Sequence, residues 1–398
     1  MQFYAAGLMV VDFTLLCALF LLAAYILQFS RDFFFRNTLY LVRSSRPVIF
    51  ILVGFYLWMG VTLIYTASPG YGYIKIFMFL SNLAAVLIPF IYKGFNRKRF
   101  FHLFAYMGSG LIFVYTALIP DIYTSYLKDV DYRDMVTRYL DIGYVAGVII
   151  LILAFVCPQM KKFIKLLLIG LNAWTLLVSS ARGPLLFLVL VLLIRLAVSF
   201  VTFMKSWRLD FKNIFYMIVG VGLLGTAAYY LIDRYSLLLE RSVTRLLMLL
   251  DPGGGESVLE RINMVSYSFD RIFENAGNFL FGLGVGSFGI LYEGVDERNY
   301  PHNVILETWF ELGLLGVILF ILLLLVYFKK IRFRLNFVLI FIYLLLNSLK
   351  SYSLIDLRIM FGILSVLVIY LALKEQKNEG ACKRNGRIPD SPLQRVPG

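Results

Sequence analysis

Runs of apolar residues separated by polar breaks dominate this chain. They fall near 5–29, 47–66, 72–92, 100–119, 140–157, 163–181, 183–204, 213–232, 303–328, 335–349 and 356–373. Each run is continuously apolar, and most approach the roughly 20 residues that carry a helix across a bilayer. A transmembrane barrel would show alternation instead. The pattern predicts an all-α polytopic membrane protein with about 11–12 transmembrane helices. One long polar interval, Arg234 to Gly316, interrupts the series. The expected organisation is transmembrane helices over 1–232, a large extracytoplasmic loop over 233–302 as the candidate catalytic region, and C-terminal transmembrane helices over 303–373. The polar tail 374–398, rich in Gly, Pro and charge, reads as a disordered cytoplasmic end.

Composition agrees with this reading. The 398 residues are 60% hydrophobic and only 16% charged, with a mean hydropathy of +0.81. No soluble fold of this length could hide so much apolar surface. The net charge of +14 would suggest nucleic acid, but its positions explain it differently. Basic clusters follow the odd-numbered runs: Arg31 to Arg46, Lys93 to Arg99, Lys161 to Lys165, Lys205 to Lys212 and Lys329 to Arg334. Basic loops stay in the cytoplasm, so the charge is a topological signal and no nucleic-acid partner is expected. That orientation puts the 120–140 and 233–300 connections outside, together with the N-terminus. The N-terminus lacks a basic n-region and a cleavage site, so no removable signal peptide is read. Cys17, Cys157 and Cys382 suggest no disulfide framework.

Within the outer loop the cations are Arg234, Arg241, Arg245, Arg261, Arg271 and Arg298, with no lysine. Guanidinium is a planar fork that grips phosphate oxygens in pairs, which a lysine cannot do. Arg234, Arg241 and Arg245 share one helical face at i, i+7, i+11, a stripe suited to a lipid diphosphate headgroup. Salt bridges with the loop's acids, from Glu240 to Glu274, are the alternative. Arg182 sits in SSARGP between two apolar runs. A charge there needs a cavity or partner, unless it snorkels to the headgroups. His302, after Pro301 and before a helix, is placed to accept a proton near neutral pH or merely to bond the helix start. Asn303, Glu307 and Glu311 form a polar stripe at i, i+4, i+8. Glu307 could orient His302, pair with Arg182, or belong to a structural ion pair.

Other features read more plainly. Gly284-Val-Gly286-Ser-Phe-Gly289 fits GxGxxG, but without a surrounding βαβ unit it predicts a turn or tight helix entry. Gly313 and Gly316 predict close helix packing. Asp129-Val-Asp131 could hold a divalent cation, yet Lys128 and Arg133 beside it favour a solvated or sugar-contacting loop. No metal and no cofactor are expected.

Arg245-Leu-Leu, Glu260-Arg261, FGLGVGSF and PHNVILETWFELGLLG, with SSARG upstream, resemble the O-antigen polymerase and ligase superfamily of bacterial membrane glycosyltransferases. The similarity covers roughly residues 175–330, and the HN-x-x-L-E ending is its most specific part. The resemblance implies a fold like the lipid-dependent GT-C-type glycosyltransferases, working without metal on the periplasmic face of the bacterial inner membrane. The implied donor is a glycan on undecaprenyl diphosphate, and a chain-length regulator protein is an implied partner. The family's roles would fall on Arg182 and Arg261 for the diphosphate and on His302 near the acceptor. Arg245 or Arg241 would add phosphate contacts; Arg234, Asn303 and Glu307 join the substrate-binding candidates from the residue pattern alone. Members place both termini inside, whereas the charge count here puts the N-terminus outside. The resemblance favours a polysaccharide polymerase, with a ligase transferring glycan to a lipid A core or protein as the alternative. A transporter or flippase of lipid-linked sugar is the competitor from another class.

Overall fold

The computed structural model describes residues 4–5, 8–9, 33–91, 97–126, 132–157, 159–179, 181–206 and 256–384. Outside them lie most of the apolar run near 5–29, all of that near 213–232, Arg234, Arg241, Arg245, Gly253–Gly255 and the Asp129/Asp131 pair. The described chain is helical apart from a two-residue antiparallel ladder, β1 (Tyr4–Ala5) with β2 (Leu8–Met9). In chain order the first helices are α1 (Phe33–Thr62), α2 (Pro69–Ile91), α3 (Arg97–Tyr126), α4 (Tyr132–Phe155), α5 (Lys162–Val178) and α6 (Arg182–Ser206). Then come α7 (Glu256–Ile272), α8 (Ala276–Phe281), α9 (Ser287–Glu293), α10 (Val304–Ile331), α11 (Leu335–Ser351), a 3-10 turn at Leu354–Asp356, and α12 (Arg358–Arg384).

Four stretches are long and apolar enough to cross a membrane: Ser45–Thr62, Pro69–Phe90, Arg182–Val201 and Val304–Ile331. Leu140–Phe155, Leu335–Ser351 and Arg358–Ala372 are shorter apolar helices. This is the architecture of an α-helical membrane protein, and each of these helices overlaps a run predicted from the sequence.

The chain divides into two compact units. The first comprises Met1–Arg97, Val265–Arg334 and Tyr352–Gly398. There α1 packs on α2 and α10, and α12 packs on α2 and α10. Phe55, Phe79, Phe320 and Phe361, one from each of these four helices, meet at ring-centroid distances of 5.6 Å (Phe55–Phe79), 6.1 Å (Phe55–Phe320) and 6.5 Å (Phe320–Phe361). Between membrane helices such rings gain close packing rather than expulsion of water. The second unit comprises Lys98–Met264 and Leu335–Ser351. Here α4 packs on α5, and α11 packs on α4 and α6. Tyr343 stacks on Tyr144 at 6.0 Å and donates to the Tyr144 carbonyl, fitting a groove that Gly147 leaves open. Asn172 donates to Ser109 Oγ at 2.7 Å, tying α5 to α3.

One glycine differs from the sequence expectation. Gly313 does not serve as a packing glycine in a continuous helix; it breaks α10, with φ 68 and ψ −171. The break frees carbonyls at the end of the first half-helix, and the glycine-rich segment supplies the donors. Leu283 N–H reaches the Phe310 carbonyl at 2.8 Å, Gly284 N–H the Glu311 carbonyl at 2.9 Å, and the Trp58 indole the Leu312 carbonyl at 2.9 Å. Gly282, at φ 77, leans against the same turn, and a Cβ there would lie 2.5 Å from the Glu311 carbonyl oxygen. With ψ of −175 and −171 both glycines occupy a backbone region essentially closed to other residues, so alanine at either would combine a strain of about 1–3 kcal/mol with a clash against main chain. We expect Gly282→Ala and Gly313→Ala to lower the thermal unfolding midpoint in detergent clearly, while Gly294→Ala, with no atom near the added carbon, bears the backbone penalty alone.

Candidate functional site

The polar stripe on α10 belongs to the first unit. Asn303 caps the helix, accepting from the N–H groups of Ile305 and Leu306 at 3.0 and 3.1 Å. This is the helix-start role that Asn fills by replacing a missing backbone acceptor. Glu307, one turn on, is fully buried with Glu311 and Lys75. Lys75 Nζ lies 2.5 Å from Glu307 and 2.6 Å from Glu311. Glu307 also accepts from Ser353 Oγ at 2.6 Å and Leu354 N–H at 2.9 Å. Of the readings open in the sequence, Glu307 therefore takes the structural ion pair, and its cation is Lys75. A charge inside a span is tolerated where it is paired and hydrogen-bonded. This network joins α2, α10 and the 3-10 turn.

His302 immediately precedes that cap. Its φ of 53 makes it the non-glycine residue in the left-handed region among the described residues. Histidine enters that region at a cost of about 1–3 kcal/mol, a strain that recurs at functional positions. Its ring lies 4.7 Å from the ring of Tyr300, which in turn lies under the Arg298 guanidinium at 5.6 Å. Arg298 also pairs with Asp356 at 2.7 Å, so the strap before His302 is held to the 3-10 turn. Upstream, the Asp296 carboxylate accepts from Ser68 Oγ and from the N–H groups of Gly70 (3.0 Å) and Tyr71 (3.1 Å). It caps α2 from a distant part of the chain, and Asp296→Ala should cost about 1–2 kcal/mol in thermal unfolding.

The second unit holds two of the sequence-selected arginines. Arg182 opens α6, and Gly183 beside it faces Lys350 from α11. A Cβ on Gly183 would lie 3.1 Å from Lys350 Nζ. Lys350 also sits 5.9 Å from the Phe187 ring and within electrostatic reach of both Arg261 and Arg182. Three cations from α6, α7 and α11 thus share one neighbourhood. Among the described residues no carboxylate forms a salt bridge with Lys350 or Arg261. Like charges held together repel, and an anion bound among them would relieve that repulsion.

No protein-family model and no curated protein matches the sequence.

Arg182 and Arg261 come together with Lys350. His302, Asn303 and Glu307 stand together at the start of α10 in the other unit, and Arg234, Arg241 and Arg245 lie outside the described residues. Arg271 pairs with Glu274 at 2.8 Å on the exposed face of α7, one instance of the alternative reading for a loop arginine. Two lysines escaped sequence reasoning. Lys75 is the lone charge in an apolar run, and the two glutamates on another run were the signal that a cation must answer them. Lys350 ends an apolar run on the side that the loop charges assign to Arg182, which was the signal there. The GxGxxG segment is a turn and helix entry: Gly284 and Gly286 take φ 94 and 77, and Gly286 is the N-cap position of α9.

Proposed function

We propose that this chain is a membrane glycosyltransferase that takes its donor glycan from a lipid diphosphate, acting as a polysaccharide polymerase. The observation that carries the reading is the meeting of three cations, with Arg182 and Arg261 both within electrostatic reach of Lys350. Cleaving a sugar–diphosphate bond builds negative charge on the leaving oxygens. Fixed cations stabilise that charge in the transition state, the role a metal ion fills elsewhere. In the step itself an acceptor hydroxyl oxygen bonds to the anomeric carbon, and the bond from that carbon to the diphosphate oxygen breaks. The electron pair leaves with the lipid diphosphate, and attack from the opposite face inverts the linkage. The hydroxyl proton passes to a base. His302 is the candidate from the sequence motif, supported by its strained backbone, and it is tested by its own variant.

In this reading the donor is an undecaprenyl-diphosphate-linked glycan, the acceptor a lipid-linked repeat unit, and the reaction side the periplasmic face of the inner membrane. The ligase alternative uses the same chemistry. The transporter alternative gains a broken helix at Gly313, a feature common in transporters. However, the carbonyls of Phe310, Glu311 and Leu312 each accept a hydrogen bond from Leu283, Gly284 or Trp58, so the break is filled by protein donors rather than left bare, as an ion site would need. Deletion of the gene followed by glycan gel analysis tests the proposal. Loss of polymer with single repeat units still reaching the cell surface is expected. Polymer stranded on the lipid carrier would instead mean a ligase, and repeat units trapped in the cytoplasm a flippase.

A further inference from the structure

We infer that the segment Phe269–Gly284, which the charge pattern assigns to extracytoplasmic water, is a re-entrant element that dips into the outer leaflet and rests its apolar face on lipid. The inference is independent of the catalytic reading; it depends on α10 crossing the membrane with its two ends equally far from the bilayer centre. Helix α10 has 28 residues, or about 42 Å at 1.5 Å per residue. Against a hydrocarbon core of about 30 Å, that leaves about 6 Å of helix in each interface. Gly313 lies nine residues beyond Val304, about 14 Å along the axis. It is therefore about 8 Å inside the hydrocarbon boundary. The glycine-rich segment is bonded to this very depth, through Leu283 to Phe310 and Gly284 to Glu311.

Irregular backbone survives at such depth only where protein satisfies its polar groups. That condition is met here. Gly282 N–H donates to Asn278, while the Phe279 and Phe281 carbonyls accept from the Trp309 indole (3.2 Å) and the Tyr65 hydroxyl (2.6 Å). The side chains turned outward are apolar. Phe273 is 58% exposed, Phe281 50% and Leu280 42%, with Phe269 alongside. Phe273, Phe279 and Trp309 meet in tilted and edge-to-face contacts at 5.4 to 5.6 Å, and Phe281 lies 6.3 Å from Trp58. Trp58, Trp309 and Tyr65 all give their N–H or O–H to main-chain carbonyls, so their rings can meet lipid without an unpaired polar group. Deeper on α10 the exposed side chains are Leu315, Ile318, Ile321, Leu322 and Leu325, so the patch continues into the lipid-facing surface of a spanning helix. That continuity selects acyl chains as the occupant over a second protein.

The test uses the full chain in nanodiscs of phosphatidylethanolamine and phosphatidylglycerol. Its three cysteines are replaced, and single nitroxide labels are placed at Leu280→Cys, Phe281→Cys, Leu322→Cys and Glu297→Cys. Positions 280 and 281 should behave like 322, open to oxygen and several-fold less accessible than 297 to a water-soluble nickel complex. Nickel accessibility at 280 and 281 equal to that at 297 would overturn the inference, and so would protection from both reagents, which means a protein cover. A phospholipid bearing a photoactivated diazirine, used on the unsubstituted chain, guards against misfolded variants. Adducts on the 273–281 peptide are expected, and labelling of Leu315–Leu325 without them refutes the placement.

Discussion

Replacing Lys75 by alanine should cost about 3–5 kcal/mol of stability, the loss typical when one partner of a buried ion pair is removed. The ammonium is enclosed and within 2.6 Å of both Glu307 and Glu311. Removing it leaves two carboxylates facing each other in an apolar interior. The expected readout is a fall in the thermal unfolding midpoint in detergent and loss of detergent-extractable protein. A compensating variant separates charge from packing. Lys75→Met with Glu307→Gln and Glu311→Gln removes every charge, yet keeps an amide oxygen for the Leu354 N–H that Glu307 now receives. That triple variant should recover most of the lost stability, because buried ion pairs are often replaceable by neutral groups of similar volume. If Lys75→Ala unfolds at the wild-type temperature, the network does not hold the first unit together.

The second large effect falls on activity. Arg182→Ala and Arg261→Ala should each slow chain elongation by about 10²–10³-fold, the scale of losing one fixed group that stabilises developing charge. Thermal unfolding should change little, since neither residue lies in the fully buried core. Lysine in place of either arginine keeps the charge but loses the two-pronged grip, so partial activity is expected. Lys350→Ala should weaken the same step by a smaller factor, and the combined losses should fall short of the product of the single ones, as for groups acting as a unit. His302→Gln tests the base separately: slow elongation with undiminished donor binding is expected.

How far the sequence revealed this arrangement differs from residue to residue. Apolar runs of membrane length placed α2, α6, α10 and the spanning part of α1, Ser45–Thr62, within a few residues, because hydropathy is imposed by the solvent and needs no knowledge of neighbours. Arg182 and Arg261 could be picked out because a charge at a helix break or in a lysine-free loop violates the local rule. Their convergence with Lys350 depends on tertiary packing of α6 against α11, to which no local pattern corresponds. Lys75 stayed hidden because one lysine hardly lowers the hydropathy of a 22-residue span, although Glu307 and Glu311 implied a missing partner. Gly313 was misread because a glycine amid leucines looks the same whether it packs a helix or breaks one. The distinction comes from Leu280, Gly282 and Leu283, some thirty residues earlier, which approach the break.

We propose above all that Arg182, Arg261 and Lys350 hold a lipid diphosphate while its glycan is transferred. The most direct test of this proposal is elongation by the purified chain in nanodiscs, given undecaprenyl-diphosphate-linked repeat units and a chelator, with polymer and released lipid diphosphate followed together. Equal amounts of new linkage and free undecaprenyl diphosphate are expected from the unsubstituted chain, and neither from Arg182→Ala/Arg261→Ala. Undiminished elongation by that double variant, or no lipid diphosphate released by the unsubstituted chain, would contradict it.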